Sequence, residues 1–505
     1  MQRIDSIAAG VALHGKASTR LIEARARASL AEGTLMRRAG ESVARLALAI
    51  APHARRVWIA AGPGNNGGDG LEAAIVLKQS GKDVGVSLTA DAAVLPADAA
   101  AALKRAQQAG ISIDTAAGEL SRQDIAIDAL LGIGGSRAPH GALADTIRQL
   151  NALACPVLAV DTPSGLDVDT GQPFGADCVI AQHTLALLTL KPGLYTAAGR
   201  DHAGSVWLER LGIDSVDEPA DAILVGTGTR RSGHSVRRHL MHKGSFGDVA
   251  VVGGAAGMVG AALLAARAAH AAGAGRVYVE LLADAGHAPD HDPVRPELMF
   301  RPAWSEGAPE VLAGTTVVCG CGGGDAVRGA LPRLFSRVRR LVLDADALNA
   351  IGADTGLLSA LRSRAGRGLH TVLTPHPLEA ARLLGCKTTE VQGDRLRAAR
   401  ALADRCAAVV VLKGSGSVIA MPGRAPAINA TGNAALASAG TGDVLAGWLG
   451  GLWAQAGDAA DADSVFDIAV RAVVEHGAAA EPLLPGPMRA ADLVERLHRG
   501  LRRGG

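Results

Sequence analysis

Apolar positions follow two different periods along this chain. Between residues 17 and 50 they recur every three to four positions, through Leu35, Ala39, Val43, Leu46 and Ile50, which predicts helices with one buried face. From Val57 onward, short continuous apolar runs alternate with longer amphipathic ones. Strands are predicted at Val57–Ala61, Val84–Leu88, Ile125–Asp128 and Val157–Val160, with helices near 69–80 and 97–109. The pattern lapses at Asp214 to Ala222 into an acidic, turn-rich connector. A second series begins at Gly247–Gly254, continues into a helix from Val259 to Ala272 that stops at Gly273, and adds strands at Thr316–Cys319, Leu341–Leu343, Thr371–Leu373 and Val409–Leu412. Alternation of this kind predicts an α/β fold with two doubly wound, mostly parallel sheets. The expected domains are 1–213 and 225–505, joined by a linker at 214–224. No short-period repeat is present, which excludes solenoids and propellers.

Composition narrows the picture. The 505 residues are 48% apolar and 20% charged, a globular balance, and aromatics make up only 2%. Cores must be built from Ala, Val, Leu and Ile, and stacking platforms for single-stranded nucleic acid are not expected. A net charge of +2 gives no reason to expect a polyanionic partner. The arginines from Arg337 to Arg340 read as the solvated end of a helix entering the next strand. Six cysteines do not make a disulfide framework, and Cys319-x-Cys321 alone is a poor zinc signal. A reduced, cytoplasmic setting fits, and no secretory signal is expected. The uncharged stretch Val249 to Ala266 has membrane-helix length, but Gly253, Gly254 and Gly257 interrupt it; strand, turn and helix explain it better.

Chemistry concentrates where strands end. The run Gly62 to Gly70 holds five glycines in nine positions, with Asn65, Asn66 and Asp69 among them. Strand, glycine-rich turn and helix let backbone N–H groups meet an anionic ligand, and glycine permits positive φ and close backbone approach. Asp128 leads into Ala129 to Gly135, and Asp161 opens Asp161-Thr162-Pro163-Ser164-Gly165. Ligands of such sheets sit beyond the carboxyl ends of the strands, so three polar turns there define a site. In the second half, Gly440-Thr441-Gly442-Asp443 opens a helix that presents one aspartate. Its amides could hold a transferring phosphoryl group, with Asp443 beside them as general base or, more plainly, as the helix N-cap. His376, fixed between two prolines, reads as a ligand contact. Lys413 either reaches a phosphate or ends a strand. Asp344 and Asp346 either help bind a metal–nucleotide complex or cap a short helix. His287, His291 and Asp292 read as a solvated loop.

Together these motifs resemble a known family. Leu35-Met36-x-x-Ala39-Gly40, the Gly62–Gly70 run, Asp128 to Gly132 and Asp161-x-Pro163-Ser164-Gly165 resemble the NAD(P)H-hydrate epimerase domain, a Rossmann-like fold. Lys243 to Gly247, Gly260-Ala261, Pro296 to Met299, Thr374-Pro375-His376-Pro377-x-Glu379, Asn429-x-Thr431-Gly432-Asn433 and Gly440 to Asp443 resemble the ADP-dependent NAD(P)H-hydrate dehydratase, a ribokinase-like fold. The resemblance implies repair of NADHX and NADPHX, nicotinamide cofactors that have taken up water: the first domain interconverts R and S epimers, and the second dehydrates the S form using ADP. It implies that Asn65, Asn66, Gly67, Gly68, Asp69, Gly132, Ile133, Gly134, Gly135, Ser136, Arg137, Ala138 and Asp161 contact the hydrate, with Asp161 as acid/base. Asn66, Asp128 and Ser164 would hold a potassium ion. Ala261, Gly322, His376 and Asp443 would contact the hydrate in the second domain, and Lys413, Gly414, Ser415, Gly416, Ser417 and Gly442 the nucleotide, with magnesium as a further cofactor. Asp443 would take the hydroxyl proton as the hydroxyl is phosphorylated, after which phosphate leaves. Small-molecule substrates, no nucleic acid, no membrane and a homo-oligomer complete the expectation.

Three positions depart from the family pattern. Arg37 stands where an acidic residue is usual, Gly320-Cys321-Gly322 replaces Gly-Pro-Gly, and Ala434-Ala435-Leu436 replaces Pro-Gly-Met. Two rival readings are an ATP-dependent small-molecule kinase fused to a ligand-binding domain, and a first domain that serves as a non-enzymatic interaction module.

Overall fold

The computed structural model describes residues 1–5, 9–114, 119–213, 217–229, 237–283, 289–456, 461–481 and 486–503. The chain divides into two compact units, Met1–Asp5 with Val11–Ile223 and Ser6–Gly10 with Leu224–Gly505. The division falls inside the strand Ala222–Val225, so the last residues of the acidic connector are structured. Residues 214–216 of that connector lie outside the described residues.

In the first unit the strand Arg56–Ala61 is flanked by Asp83–Leu88 and Ser112–Asp114 on one side. On the other come Ile125–Ala129, Val157–Val160, His183–Leu187, Ser205–Glu209 and finally Gln2–Ile4. All pair in parallel except Gln2–Ile4, which runs antiparallel to its neighbour. Continuous apolar runs suit strands covered on both faces. Two clusters of buried side chains sandwich this sheet, one around Val43, Ile59, Leu71 and Ile127, the other around Trp58, Ala126, Ile147 and Val157. The helices Lys16–Ala28 and Thr34–Ile50 precede it; the second buries Met36, Ala39, Val43 and Leu46.

The helix after the glycine-rich turn starts earlier than the expected 69. The helix begins at Asn65 and runs to Gln79, so both asparagines and Asp69 sit on its first turns. None of the five glycines there has positive φ. They serve close packing. A Cβ on Gly62 would overlap the Leu130 carbonyl oxygen, and one on Gly70 would lie 2.6 Å from Ala129 Cβ.

In the second unit Asp248–Gly253 is flanked by Arg276–Leu281 and Met299–Phe300. On its other side lie Thr316–Cys319, Arg340–Leu343, His370–Leu373, Val409–Leu412, Val418–Ala420 and Ala427–Asn429. Pairing is parallel up to Val409–Leu412 and antiparallel over the next two strands. Both units are doubly wound α/β folds. The uncharged stretch from Val249 is strand, turn and then the helix Val259–Ala271. Among the described residues no helix is long and apolar enough to cross a membrane.

Two readings of charged residues change. Arg340 is buried within its strand, its guanidinium donating to Thr316 Oγ1 at 2.9 Å and to the Gly314 carbonyl at 2.6 Å. Asp292 is fully buried, gripped by both Nε and Nη2 of Arg267 at 2.6 and 2.8 Å, so it is a structural carboxylate and not part of a solvated loop. His291 is exposed beside Asp290, and His287 lies outside the described residues.

Candidate functional site

At the carboxyl end of the first sheet, a cavity of about 470 Å³ is lined by Asn65, Asn66, Asp69, Gly132 to Gly135 and Asp161, together with Thr19, Arg20 and Arg27 of the first long helix. The start of the Asn65–Gln79 helix therefore faces the cavity with its unpaired N–H groups. Gly67 and Gly68 are buried behind it, where Gly68 packs on Met36. Ser136, Arg137 and Ala138 do not line the cavity and are exposed. Lys16 Nζ donates to the Gly135 carbonyl at 2.9 Å and ties down the Gly132–Gly135 turn.

Asp161 carries φ of +67°, an uncommon conformation for a side-chain-bearing residue. Its carboxylate is ion-paired with Lys191, which is wholly buried and also donates to the carbonyls of Leu187 at 2.8 Å and Thr189 at 2.9 Å. The Leu187 amide donates to the same carboxylate at 3.1 Å. Asp69 stands in the same cavity in a different electrostatic setting. Burial and the facing charge of Asp161 hold its carboxyl well above the usual range. One carboxylate is thus paired with an ammonium, and its neighbour holds a proton more tightly than an ordinary carboxyl.

Beneath the cavity Asp128 and Ser164 are both fully buried. Asp128 accepts from Ser164 N at 2.8 Å, Ser164 Oγ at 2.6 Å and Leu130 N at 3.2 Å, with no basic side chain among its partners. Burial lifts it to about 6 against the pull of those bonds. The Asn66 side chain faces Gly132, whose Cβ would lie 3.2 Å from Asn66 Oδ1, and Asn66 Nδ2 is buried without a partner. Asn65 Oδ1 and Thr162 Oγ1 are likewise unpartnered.

In the second unit the helix Thr441–Ala454 starts from Gly440, which takes φ of +86°, and its N-cap makes no side-chain bond. Asp443 is the third helical residue and not the cap. Its carboxylate, that of Asp344 and the thiol of Cys321 lie within 4.8 Å of one another. Asp344 does not cap its helix either: its Oδ1 accepts from Lys413 Nζ at 2.7 Å and Thr374 Oγ1 at 2.8 Å. Burial opposes the Lys413 charge, but Asp344 and Glu379 outweigh it and hold the ammonium above its usual range. A Cβ on Gly442 would lie 3.2 Å from Lys413 Nζ, so amide turn, lysine and carboxylates converge. Burial and the charge of Asp344 lift Asp443 to about 6, with Cys321 and Lys413 pulling the other way. Asp346 accepts from the Gly324 amide at 2.9 Å. Ala261 and Gly322 touch, a Cβ on Gly322 falling 2.9 Å from Ala261 Cβ. Gly414 and Gly416 both have positive φ, and Ser417 Oγ closes their turn on the Gly414 carbonyl at 3.2 Å. His376 is foremost a helix cap: its Nδ1 accepts from the amides of Leu378 at 3.1 Å and Glu379 at 3.3 Å, and its half-exposed ring lies beside Glu379.

The family model described as YjeF-related protein N-terminus matches residues 32–193, and that described as NAD(P)H-hydrate dehydratase matches residues 249–500. The bifunctional NAD(P)H-hydrate repair enzyme of Escherichia coli is 36% identical over 475 residues, covering 92% of this chain and 88% of that protein. The bifunctional NAD(P)H-hydrate repair enzyme of Leishmania major is 33% identical over 503 residues with the same coverage, 92% and 88%. This chain belongs to the bifunctional NAD(P)H-hydrate repair enzymes. Among solved structures, the ADP/ATP-dependent NAD(P)H-hydrate dehydratase of Bacillus subtilis is 30% identical, with a TM-score of 0.45 over 53% of this chain and 94% of that one.

Against the motifs of that repair family, Arg37 turns back onto Thr34 Oγ1 at 3.3 Å, on the surface of its own helix. Four residues of these sites escaped the sequence reading. Lys191 carried a signal, a lone charge ending the apolar run from Leu185 to Leu190. Cys321 was noted only as a poor zinc signal with Cys319 and as a departure from the family turn. His476, whose Nε2 donates to the Thr441 carbonyl at 2.9 Å, and Arg395, which donates to the Leu412 and Lys413 carbonyls at 3.2 and 3.1 Å, carried none.

Proposed function

We propose that the two carboxylate clusters divide the repair of hydrated NADH and NADPH between them, the first interconverting the R and S hydrates, the second dehydrating the S form at the expense of ADP to give AMP and phosphate. The observation that carries this reading is the convergence of Asn65, Asn66, Asp69, Gly132 to Gly135 and Asp161 on one cavity. Hydrating the ring's double bond beside nitrogen leaves a carbon that carries both nitrogen and hydroxyl. Such a carbon inverts by losing and regaining one heteroatom, with one proton taken and one given. Asp161, oriented by Lys191, takes the proton, and Asp69, whose carboxyl is held well above the usual range by burial and the charge of Asp161, gives one. Helix amides at Asn65 and Asn66 and the Gly132–Gly135 turn receive the phosphates.

In the second unit Asp443 accepts the hydroxyl proton while the N–H groups of the Thr441–Ala454 helix stabilise the transferring phosphoryl group. Phosphorylation converts hydroxide, a poor leaving group, into phosphate. The turn from Lys413 to Ser417 with Gly442 holds the nucleotide.

Potassium fits Asn66, Asp128 and Ser164, because Asp128 is buried without a basic partner and all three side chains carry oxygen donors. Bound there, the ion supplies fixed positive charge near the substrate's phosphates. Magnesium does not fit a resident site in the Cys321–Asp344–Asp443 cluster, since a thiol is a poor donor for it and Lys413 occupies Asp344. It belongs with the nucleotide's phosphates. The proposal extends to a cytoplasmic homo-oligomer, the setting suited to six free thiols.

The test is incubation of the chain with mixed R and S hydrate and ADP. Full recovery of reduced-nicotinamide absorbance supports both activities, and recovery of only the S fraction removes the epimerase. Accumulation of a phosphorylated alcohol with ATP would instead favour the kinase reading.

A further inference from the structure

The Gly320–Gly322 turn carries into the second site a group that the reaction above does not use. Cys321 is wholly buried, and the glycines on either side hold φ of +117° and +58°, so the turn is defined by backbone that other residues rarely adopt. Its Sγ shares a space less than 4.8 Å across with the carboxylates of Asp344 and Asp443. Lys413 and Thr374 donate to Asp344. The thiol stands in reach of the Asp443 carboxylate as well.

We propose that Cys321 is a positioning residue for Asp443: its S–H donates to one carboxylate oxygen and leaves the other turned toward the substrate hydroxyl. The proposal rests on the reading of Asp443 as the base. Two like charges this close would otherwise push the Asp443 carboxylate away from Asp344, and a donor in reach of both fixes its rotation. A thiol is a weak donor, so it orients the carboxylate while taking little of the basicity that proton transfer needs. The groups facing Asp443 are Asp344 and Asp346 from one turn, Lys413 from another and Cys321 itself. His476, on the helix Ala462–Ala478 below, is pushed by burial to about 4 and stays neutral. Burial and the two carboxylates hold the Cys321 thiol well above its usual range, so it remains a donor at neutral pH.

The experiment compares Cys321→Ala, Cys321→Ser and Asp443→Asn in the full chain, measuring dehydration of the S hydrate with ADP across pH. Nucleotide binding by calorimetry reports that the second unit is folded. Removing the donor in Cys321→Ala should move the acidic limb of kcat up by about half to one pH unit and lower kcat at pH 6 by about two- to five-fold, with KM for both substrates little changed. Cys321→Ser, which restores a donor, should return the limb to its wild-type place or below. An alanine variant with an unmoved limb, beside an inactive Asp443→Asn, overturns the role of the thiol and leaves the base in place. Dehydration that survives in Asp443→Asn overturns the base assignment and this proposal with it.

Discussion

Replacing Asp443 by asparagine should abolish dehydration and make the second unit more stable. The wild-type carboxyl sits at about 6 in the folded protein against an ordinary 3.8, because burial and the charge of Asp344 penalise its ionised form. A folded-state value above the unfolded one means that the native protein holds the proton more tightly. Stability from this group is therefore complete below about pH 4 and is lost as pH rises through about 6. The gap corresponds to about 3 kcal/mol, and partial exposure of the side chain reduces it to about 1–2 kcal/mol. Asparagine keeps the shape and an acceptor for the Cys321 thiol but has nothing to ionise. Its advantage over wild type should be small near pH 4 and level off above about pH 7. Urea unfolding followed by the fluorescence of Trp448 and Trp453, both fully buried on the helix that Asp443 opens, measures it. A variant no more stable than wild type at about pH 8, or one whose gain is as large at about pH 4, refutes the reasoning.

Further outcomes follow for the first unit. Lys191→Met leaves the Asp161 carboxylate buried without its ammonium, which should cost about 3–5 kcal/mol in that unit's unfolding free energy. Epimerisation should be lost while dehydration of supplied S hydrate persists. Asp69→Asn should keep the fold, checked by circular dichroism, and lower the epimerisation rate by about a hundred-fold or more; an unchanged rate assigns the second proton transfer elsewhere. Gly62→Ala should destabilise by at least about 1–3 kcal/mol because its methyl group meets the Leu130 carbonyl, whereas Gly64→Ala, with nothing within 4 Å, should be nearly neutral in the same thermal scan.

Much of the fold is legible where chemistry is local. Val157–Val160, Thr316–Cys319 and Val409–Leu412 are continuous apolar runs because both of their faces are covered, and each forms the strand that pattern implies. Gln2–Ile4 at the sheet's edge and Ser205–Glu209 beside it mix apolar and charged positions and give no comparable signal. The start of the Asn65–Gln79 helix was misplaced because its glycines look like loop residues, when their role is to let a helix and a strand end approach. The partners of the candidate site were the least legible. Asp161 marks itself at a strand end, but its lysine lies thirty positions later, and only the folded chain shows that the two meet. Asp292 read as solvated because the sequence does not reveal that Arg267, a helix away, encloses it.

Beyond such pairings, the two units solve one electrostatic problem in the same way. Each places two carboxylates close together under a low-dielectric cover, where both cannot be ionised cheaply. Each then commits a lysine to one of them, the wholly buried Lys191 to Asp161 and the partly buried Lys413 to Asp344, leaving Asp69 and Asp443 raised. The assignments of function diverge from there. An alcohol entering phosphoryl transfer needs an acceptor of its proton with no ammonium competing for the same carboxylate, and this selects Asp443 over Asp344. Inversion at a carbon bearing nitrogen and hydroxyl needs an acceptor and a donor at once, and this engages both members of the pair in the first unit. Replacing either lysine should therefore strip its partner carboxylate of its counter-charge, and in the second unit it also removes a charge that holds Asp443 down. The acidic limb of dehydration should accordingly shift upward in Lys413→Met, if the protein still binds nucleotide, and a downward shift would show that Lys413 acts on Asp443 through Asp344 and not directly.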